Sequence, residues 1–315
     1  MLVRQLSGGQ EVDLVLMVRA CEPLAAVPAD GDPRLRLRLG DRSGSVEALV
    51  NGEPAPQLCE PGACVRVAGH VEPQAGAVRL VVRALRAAHA DEYDAAQLVD
   101  GPRLPAARME ADLRGLIATV QRLPLRTLLE RVFGPQSETW PAFRDAPAAK
   151  RFHQAYRHGL LEHTLTVAQG VSAVSATFGG VDRDIAVTGA LLHDVGKLDA
   201  YTPAAPAIEM TDLGKLQGEI SLGYYRVRRL IEDIAGFPAE LATAVLHIIL
   251  SHHGQLEHGS PVLPCTREAT LVHQIDNLGG RLGSFDRLEK DLPAGARWSA
   301  YDRALGGGAW FAQAA

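Results

Sequence analysis

The chain has 315 residues, enough for about two domains at the usual ~100–200 residues per domain. Apolar residues make up 47 % and charged residues 22 %, a globular range that excludes disordered, collagen-like and disulfide-stapled chains. The net charge of −5 argues against a strongly basic nucleic-acid coat or a polybasic membrane anchor. The N-terminus has no apolar run long enough for a signal peptide or membrane span. Because the four cysteines also form no CxxC pair, we expect a cytoplasmic protein with reduced thiols and no membrane partner.

The first part of the chain shows the period-two alternation of half-buried strands. In RLRLRL, for example, leucines occupy one face and arginines the other. Five short strands within about 90 residues predict a small closed barrel. The predicted strands are 12–19, 34–39, 45–50, 63–71 and 77–86.

Two stretches of this region resemble nucleic-acid-binding OB-folds. They are LRLRLGDRSGSVEALV and PGACVRVAGHVEPQAGAVRLVVRALRAA, which are similar to the strand 2–3 and strand 4–5 regions of such barrels. OB-folds bind single strands by stacking bases on aromatic residues and contacting phosphates with basic groups. All 16 aromatic residues of this chain lie after residue 92, however, so the barrel has none of its own.

Arginines are therefore the candidate nucleic-acid ligands of the barrel, since they can stack on bases or pair with phosphates. The alternative is a structural barrel whose arginines form a solvated face, because residues 1–92 carry 10 Arg against 12 Asp and Glu. The candidates are Arg34, Arg36, Arg38, Arg66 and Arg79.

The rest of the chain is predicted to be helical. Residues 91–145 form a linker and connecting helices, and an all-α bundle with a small β-hairpin insertion follows. The expected fold is a multidomain α+β protein. Its divisions are an OB-type barrel over 1–90, the connection over 91–145, a histidine-rich helical domain over 146–290 and a C-terminal segment over 291–315.

Nine of the 11 histidines lie in the helical region, and several pair with carboxylates. Apolar helix faces that end in adjacent polar pairs, HD and HH, need a reason to bury those groups. Imidazole and carboxylate together suit Mn²⁺, Fe²⁺ or Zn²⁺. The pattern includes no thiolate, the ligand that would favour a closed structural zinc site. The candidate metal-ligating residues are His163, His193, Asp194, His252, His253 and Asp276.

The order His…His-Asp…Asp is similar to that of the HD-domain metal-dependent phosphohydrolases. The strings HQAYRHGLLEHTL, ALLHDVGKLDAY, LSHHGQLEHGSPVLP and EATLVHQIDNL resemble one branch of that group, the YhaM-type 3′→5′ exoribonucleases. That branch joins an N-terminal OB-fold to a C-terminal HD domain, and the segment WSAYDRALGGGAWF is similar to its C-terminal residues.

The resemblance implies a role for each matching residue. His163, His193, Asp194 and Asp276 match the four HD-type metal ligands. The pair His252 and His253 matches the extra histidines of branches that hold a second metal. Lys197 matches the lysine of HDxGK and is expected near a substrate phosphate. The resemblance thus implies that Asp194 and Lys197 are catalytic and that an activated water attacks phosphorus.

One position departs from the family pattern. Gly218 and Glu219 stand where YhaM-type chains have a Gly-His pair whose histidine is a metal ligand. Glu219 could ligate through oxygen, which shifts the metal preference toward Mn²⁺ or Mg²⁺. Alternatively, it could merely favour a helix N-terminus.

Three further histidines, His153, His158 and His273, are candidates for contacts to the ligands or to the substrate. His273 lies three residues before Asp276 and shares its helix face.

The favoured function is a metal-dependent phosphodiesterase that shortens single-stranded RNA, or DNA, from the 3′ end. It would use one or two divalent ions, with Mn²⁺ favoured and Fe²⁺, Mg²⁺, Co²⁺ and Zn²⁺ as alternatives. Two other functions stay open: hydrolysis of nucleotides or small phosphoesters, and nucleic-acid binding without catalysis. Whether the chain forms a homo-oligomer is also open.

Overall fold

The computed structural model describes residues 1–24, 34–52, 54–74, 77–99, 101–102, 104–150, 154–202, 208–292 and 297–312. The chain forms two compact units. One comprises Met1–Asp100 together with Phe285–Ala315, and the other comprises Gly101–Ser284. The first unit thus includes the C-terminal residues. The domain boundaries expected from the sequence, after residues 90, 145 and 290, stay a prediction.

The first unit contains a five-stranded closed barrel in the order β1-β2-β3-β5-β4. The β3–β5 pair is parallel and the other four pairs are antiparallel. The predicted fold class, a small barrel followed by a mainly helical region, is confirmed. The strands are β1 (Glu11–Leu24), β2 (Arg34–Asp41), β3 (Gly44–Asn51), β4 (Cys64–Gln74) and β5 (Ala77–Ala87); a short helix, α1 (Ala95–Leu98), follows.

The barrel core follows from the alternation along each strand. Leu37 and Leu39 of β2 are fully buried, whereas Arg36 and Arg38 between them are exposed. Small and branched side chains fill the interior without any aromatic ring. Gly69 allows β4 and β5 to approach closely, because a side chain there would overlap the carbonyl oxygen of Val81.

The second unit is helical. Its helices are α2 (Ala106–Ala118), α3 (Leu123–Phe133), α4 (Trp140–Asp145), α5 (Gly159–Ser175), α6 (Arg183–Leu192), α7 (Lys197–Ala200), α8 (Asp212–Gln217), α9 (Glu219–Glu232), α10 (Ala239–Ser251) and the first part of α11 (Arg267–Lys290). Helix α5 packs on α6, and α10 packs on both α6 and α9. Their leucine, isoleucine, valine and alanine side chains form one buried core.

At the predicted hairpin insertion, the described residues form one antiparallel bridge, between Tyr201 and Met210. The Thr202 amide donates to the Glu209 carbonyl at 2.8 Å, and residues 203–207 lie outside the described range. Across the described residues, no helix combines the length and the apolar character needed to cross a membrane.

Candidate metal centre

Helix ends bring the predicted ligands together. His193 and Asp194 directly follow α6, and His252 directly follows α10. His163 lies within α5 and Asp276 within α11. Apolar residues bury the preceding helical turns, so the polar groups that follow are carried into the interior. His163, His193, Asp194 and His252 are each at most 4 % exposed.

Backbone carbonyls fix the orientation of two imidazoles. His193 Nδ1 lies 2.7 Å from the Ala190 carbonyl oxygen, and His252 Nδ1 lies 2.8 Å from that of Ile249. Because a carbonyl oxygen only accepts hydrogen bonds, both Nδ1 atoms carry the proton and donate it. Each Nε2 is then left as an electron-pair donor, which is the usual arrangement of a metal-ligating histidine.

Four side chains converge on one position. His163 Nε2 lies 3.1 Å from Asp276 Oδ1, 3.2 Å from Asp194 Oδ2 and 3.2 Å from His193 Nε2. One ligand atom from each of His163, His193 and Asp194 lies within 4.8 Å of the others. These residues could therefore surround a single cation.

The other oxygen of Asp194 faces a second set of side chains. Asp194 Oδ1 lies 3.5 Å from His252 Nε2. The rings of His252 and His253 are in contact, with centroids 4.4 Å apart. His253 Nε2 in turn lies 3.6 Å from Glu219 Oε1. Asp194 is thus placed between the two sets, with one oxygen toward each.

The residues of this centre fit a divalent cation. Asp194 Oδ1 and His252 Nε2 are buried and, among the described residues, neither has a hydrogen-bond partner. Both atoms are acceptors, and burying an unpartnered polar atom is unfavourable. A cation bound by both atoms would remove that cost, so the structure supports a divalent metal centre here.

Charges within the centre shift its pKa values strongly. Burial by itself would lower the pKa of His163, but hydrogen bonds and charge from Asp194 and Asp276 outweigh it and raise the pKa to about 9. Burial would raise the pKa of Asp194, yet the cations around it, Lys197 first, hold that pKa well below its usual range. Without metal, both carboxylates therefore stay ionised beside a protonated His163.

Lys197 lies against the same carboxylate. Its Nζ donates to Asp194 Oδ2 at 2.6 Å. Burial lowers the pKa of Lys197, but the charge of Asp194 outweighs it and the net shift is upward. The ammonium therefore stays charged within the centre.

Comparison with known proteins agrees with this geometry. Residues 160–280 match the HD domain family. Over 296 residues the chain is 30 % identical to the 3′-5′ exoribonuclease YhaM of Geobacillus sp. (strain WCH70). The alignment covers 90 % of this chain and 87 % of that protein. The chain belongs to the YhaM family. The resemblance predicted from the motifs, and with it a hydrolytic enzyme carrying an HD domain, is confirmed.

Two solved structures are also similar to parts of this YhaM-family chain. PriB of Ralstonia solanacearum is 24 % identical, with a TM-score of 0.22, over 25 % of this chain and 97 % of its own. A hypothetical protein of Arabidopsis thaliana is 17 % identical, with a TM-score of 0.26, over 33 % of this chain and 89 % of its own. TM-scores this low do not indicate a shared overall fold.

The remaining predicted histidines of the YhaM-family chain lie around the centre or apart from it. His273 Nδ1 donates to the His252 carbonyl oxygen at 2.8 Å, so it supports a predicted ligand through the backbone. His158 precedes α5, and its Nδ1 donates to the Arg144 carbonyl oxygen at 2.7 Å. No contact between His158 and the cluster appears within the described residues, and His153 lies outside them.

The predicted nucleic-acid-binding arginines of the barrel have carboxylate partners. Arg36 lies 3.6 Å from Glu47, and Arg38 donates to Asp291 at 2.8 Å. Arg66 donates to both Asp13 and Glu92, at 2.7 and 2.8 Å, and Arg79 donates to Glu72 at 3.0 Å. The side chain of Arg34 lies outside the described range. Phosphates would have to compete with these carboxylates.

Sequence reasoning missed the contacts that hold α7 and α9 together. Arg226 of α9 forms a bidentate pair with Asp199 of α7, with both shorter contacts at 2.8 Å. Gly196 packs directly on the backbone of α9, where a side chain would overlap the Glu219 carbonyl oxygen. The glycine of the HDVGK string could have predicted the close packing of Gly196 on α9. No sequence pattern set Arg226 apart from the other arginines of α9.

Proposed function

We propose that this protein is a metal-dependent 3′→5′ exoribonuclease that hydrolyses single-stranded RNA at the centre formed by His163, His193, Asp194 and Asp276. The decisive observation is the buried cluster of two imidazoles and two carboxylates, beside which Asp194 Oδ1 and His252 Nε2 lack partners. Membership of the YhaM family supports RNA as the substrate and the 3′ end as the starting point.

The metal would be held by residues from two sets. The first set is His163, His193, Asp194 and Asp276, and the second is Asp194, His252, His253 and Glu219. A divalent ion bound here supplies acidification of water and neutralisation of charge on phosphate oxygens. Mn²⁺ is the favoured ion because mixed nitrogen and carboxylate ligands suit it. The two faces of Asp194 favour two ions over one.

The side chains of the chain itself orient the reacting groups. The carbonyl contacts of His193 and His252 fix the tautomers that present Nε2 to the centre. Lys197 keeps Asp194 ionised, and since an ammonium has three donors, the contact to Asp194 uses one of them. The others can donate to a phosphate oxygen, where positive charge stabilises the negative charge that develops during hydrolysis.

A labelled oligonucleotide tests the proposal. With Mn²⁺ and a 5′-labelled oligoribonucleotide, the enzyme should give a ladder of products that shorten from the 3′ end. Asp194→Asn should lower the rate at least ~10³-fold, because it removes a charged group placed between both sets of ligands. Asp212→Asn is the matched control, since that carboxylate is 94 % exposed on α8.

Three results would contradict the proposal. They are full activity of Asp194→Asn, release of phosphate from mononucleotides alone, and products that shorten from the 5′ end. Circular dichroism of both variants establishes that the helical fold is retained.

A further inference from the structure

Residues 297–311, the C-terminal hairpin, expose aromatic rings on the unit that contains the barrel. Trp298 and Trp310 are 64 % and 47 % exposed, and Tyr301 is 74 % exposed. The third tryptophan of the chain, Trp140, is instead buried in the helical core. An indole left in water adds little to folding stability, and several exposed rings in one short segment are typical of an interaction surface.

Backbone pairing places the two exposed indoles on one face of the hairpin. Trp298 and Trp310 form an antiparallel bridge. On either side of this bridge, the amides of Phe311 and Ser299 donate to carbonyl oxygens of the opposite segment at 2.8 and 2.9 Å. Because these hydrogen bonds flank the bridged pair rather than join it, the two tryptophans form a non-hydrogen-bonded pair, whose side chains lie close together on the same face.

Contacts to the end of α11 hold the hairpin in place. Asp302 is buried, and it accepts from Arg287 of α11 and from two backbone amides of the hairpin turn. The ring of Phe311 lies edge-on to that of Phe285 of α11, with centroids 6.3 Å apart. Rings on a backbone that is already fixed lose less conformational entropy when a ligand binds.

The helix end that holds the hairpin also adjoins the barrel. Arg38 of β2 donates to Asp291, directly after α11, at 2.8 Å. A Cβ atom at Gly44 of β3 would lie 3.1 Å from the Lys290 carbonyl oxygen. In OB-folds, which are five-stranded barrels of this kind, the surface of strands 2 and 3 binds oligonucleotides. The hairpin therefore places aromatic rings in the unit whose barrel has none.

The charged groups of the hairpin favour a nucleic-acid strand over a second copy of the chain as its occupant. The Arg297 guanidinium lies over the Trp310 ring, 4.9 Å from its centroid. Arg297 and Arg303 are exposed, and neither forms an ion pair within the described residues. Asp302, the one carboxylate of the hairpin, pairs with Arg287. In a two-fold interface the same surface meets itself, so these arginines would repel their copies, whereas a polyanionic strand would attract them.

We propose that the C-terminal hairpin stacks bases of single-stranded RNA on Trp298 and Trp310, in place of the aromatic residues that the barrel lacks. Every base has a π-face, so stacking tolerates any sequence, as degradation of varied RNAs requires. Tyr301 offers a third ring on the same hairpin. The inference rests on the proposed function, because it takes RNA as the ligand.

Fluorescence anisotropy with a 5′-labelled oligoribonucleotide tests the hairpin in the full chain, with EDTA present to prevent hydrolysis. Trp298→Ala should weaken binding about fivefold or more, since a base–aromatic stack is lost. Trp298→Phe keeps a ring and should retain most of the affinity, whereas Trp298→Leu keeps only apolar area and should not. Phe178→Ala is the matched control and should bind as the wild type does, because this exposed aromatic residue lies in the helical unit.

Two further measurements distinguish stacking from charge. An abasic oligonucleotide of the same length keeps the phosphates without the bases, so it should bind the wild type weakly and Trp298→Ala to the same extent. Unlabelled RNA should quench the tryptophan fluorescence of the wild type, and the quenching should be smaller in Trp310→Phe, with the buried Trp140 as a constant background.

Several outcomes would overturn the proposal. They are failure of the wild type to bind RNA, unchanged binding by Trp298→Ala with an unchanged melting temperature, an equal loss in Phe178→Ala, and an equal loss with the abasic strand. A lower molar mass of Trp298→Ala in light scattering, with unchanged affinity for RNA, would instead make this face an interface between copies. Unquenched fluorescence in the wild type overturns the proposal even if Trp298→Ala does not fold.

The 3′-shortening activity of the wild type with Mn²⁺ is measured on the same oligonucleotide. Activity together with unchanged binding in the hairpin variants defeats the stacking role alone. Absence of activity together with weakened binding in Trp298→Ala defeats the proposed function alone.

Discussion

The protonated imidazole of His163 lies between two carboxylates and partly neutralises their negative charge, which would otherwise be buried without a counter-charge. Asp194 and Asp276 both lie within 3.2 Å of His163 Nε2. Their attraction outweighs burial and raises the pKa of His163 to about 9. In the metal-free protein, this proton therefore supplies part of the positive charge that a bound divalent ion would supply between the two carboxylates.

The stability of the metal-free protein should therefore fall in alkaline solution. The folded pKa of His163, about 9, lies above the ordinary value of 6.5. Its contribution is thus fully present below pH 6.5 and is lost as the pH rises through 9. In EDTA, the melting temperature should fall between pH 7 and pH 9.5, as followed by circular dichroism at 222 nm.

The matched variant for this measurement is His163→Gln, which keeps the hydrogen bonding but cannot hold the proton. Its melting temperature should be lower at pH 7 and should change less toward pH 9.5. Parallel pH profiles for the two proteins would show that another group is responsible.

Glu219 should determine how many ions the protein binds. Its Oε1 lies 3.6 Å from His253 Nε2, and the His253 ring contacts that of His252. Glu219→Gln should lower the stoichiometry of Mn²⁺ from two to one, because an amide is a much weaker ligand than a carboxylate for a hard cation. Isothermal titration calorimetry with Mn²⁺ measures the count.

Glu257→Gln is the control for this titration, since it removes an exposed carboxylate from the same half of the chain. A stoichiometry of one in the wild type, or of two in Glu219→Gln, would mean that Glu219 is only a favourable first residue of α9.

At the level of elements, close backbone packing sets the position of α9. Gly196 has φ −70°, which any residue can adopt, so its role is spatial. A Cβ atom there would overlap the Glu219 carbonyl oxygen and would lie 2.8 Å from the Cα of Gly223. Because both obstacles are backbone atoms of α9, the helix itself would have to move.

Gly196→Ala should therefore destabilise the protein by roughly 1–3 kcal/mol, as overpacking does, and should impair catalysis beyond the loss of folded protein. Its displacement of α9 moves Glu219 and disturbs the turn that carries Lys197.

Gly115→Ala is the control: nothing lies within 4 Å of its added Cβ on α2, so it should stabilise the protein by up to ~1 kcal/mol. Chemical denaturation and the exonuclease rate check both variants. Wild-type activity in folded Gly196→Ala would contradict the positional role of this glycine.

Periodicity and motifs predicted the elements better than the contacts between them. Strict alternation in RLRLRL was enough for β2, because burial of one face requires period two. The HD and HH pairs likewise predicted that His193, Asp194 and His252 would be buried, whereas His253 is 28 % exposed. The clamp between Arg226 and Asp199 was not predictable, since an arginine on an amphipathic helix has many partners within reach.

At the level of the whole molecule, many arginines of the front region are paired with carboxylates. Arg66 and Arg86 both pair with Glu92, and Arg79 pairs with Glu72. These pairs explain how a chain of net charge −5 can carry ten arginines in its first 92 residues without a strongly positive surface. The absence of aromatic residues there also removes the usual stacking platforms of single-strand binding.

RNA binding should consequently depend only weakly on salt. Each phosphate neutralised on a single strand contributes about −0.7 to the slope of log Kobs against log salt concentration. The barrel arginines are held by carboxylates, so contacts to two or three phosphates should give a slope of about −2 or shallower. Anisotropy with a 5′-labelled oligoribonucleotide in EDTA, from 50 to 300 mM KCl, measures it. A slope steeper than about −4, as six neutralised phosphates would give, would mean that RNA displaces the carboxylates and that the barrel arginines are a major binding surface.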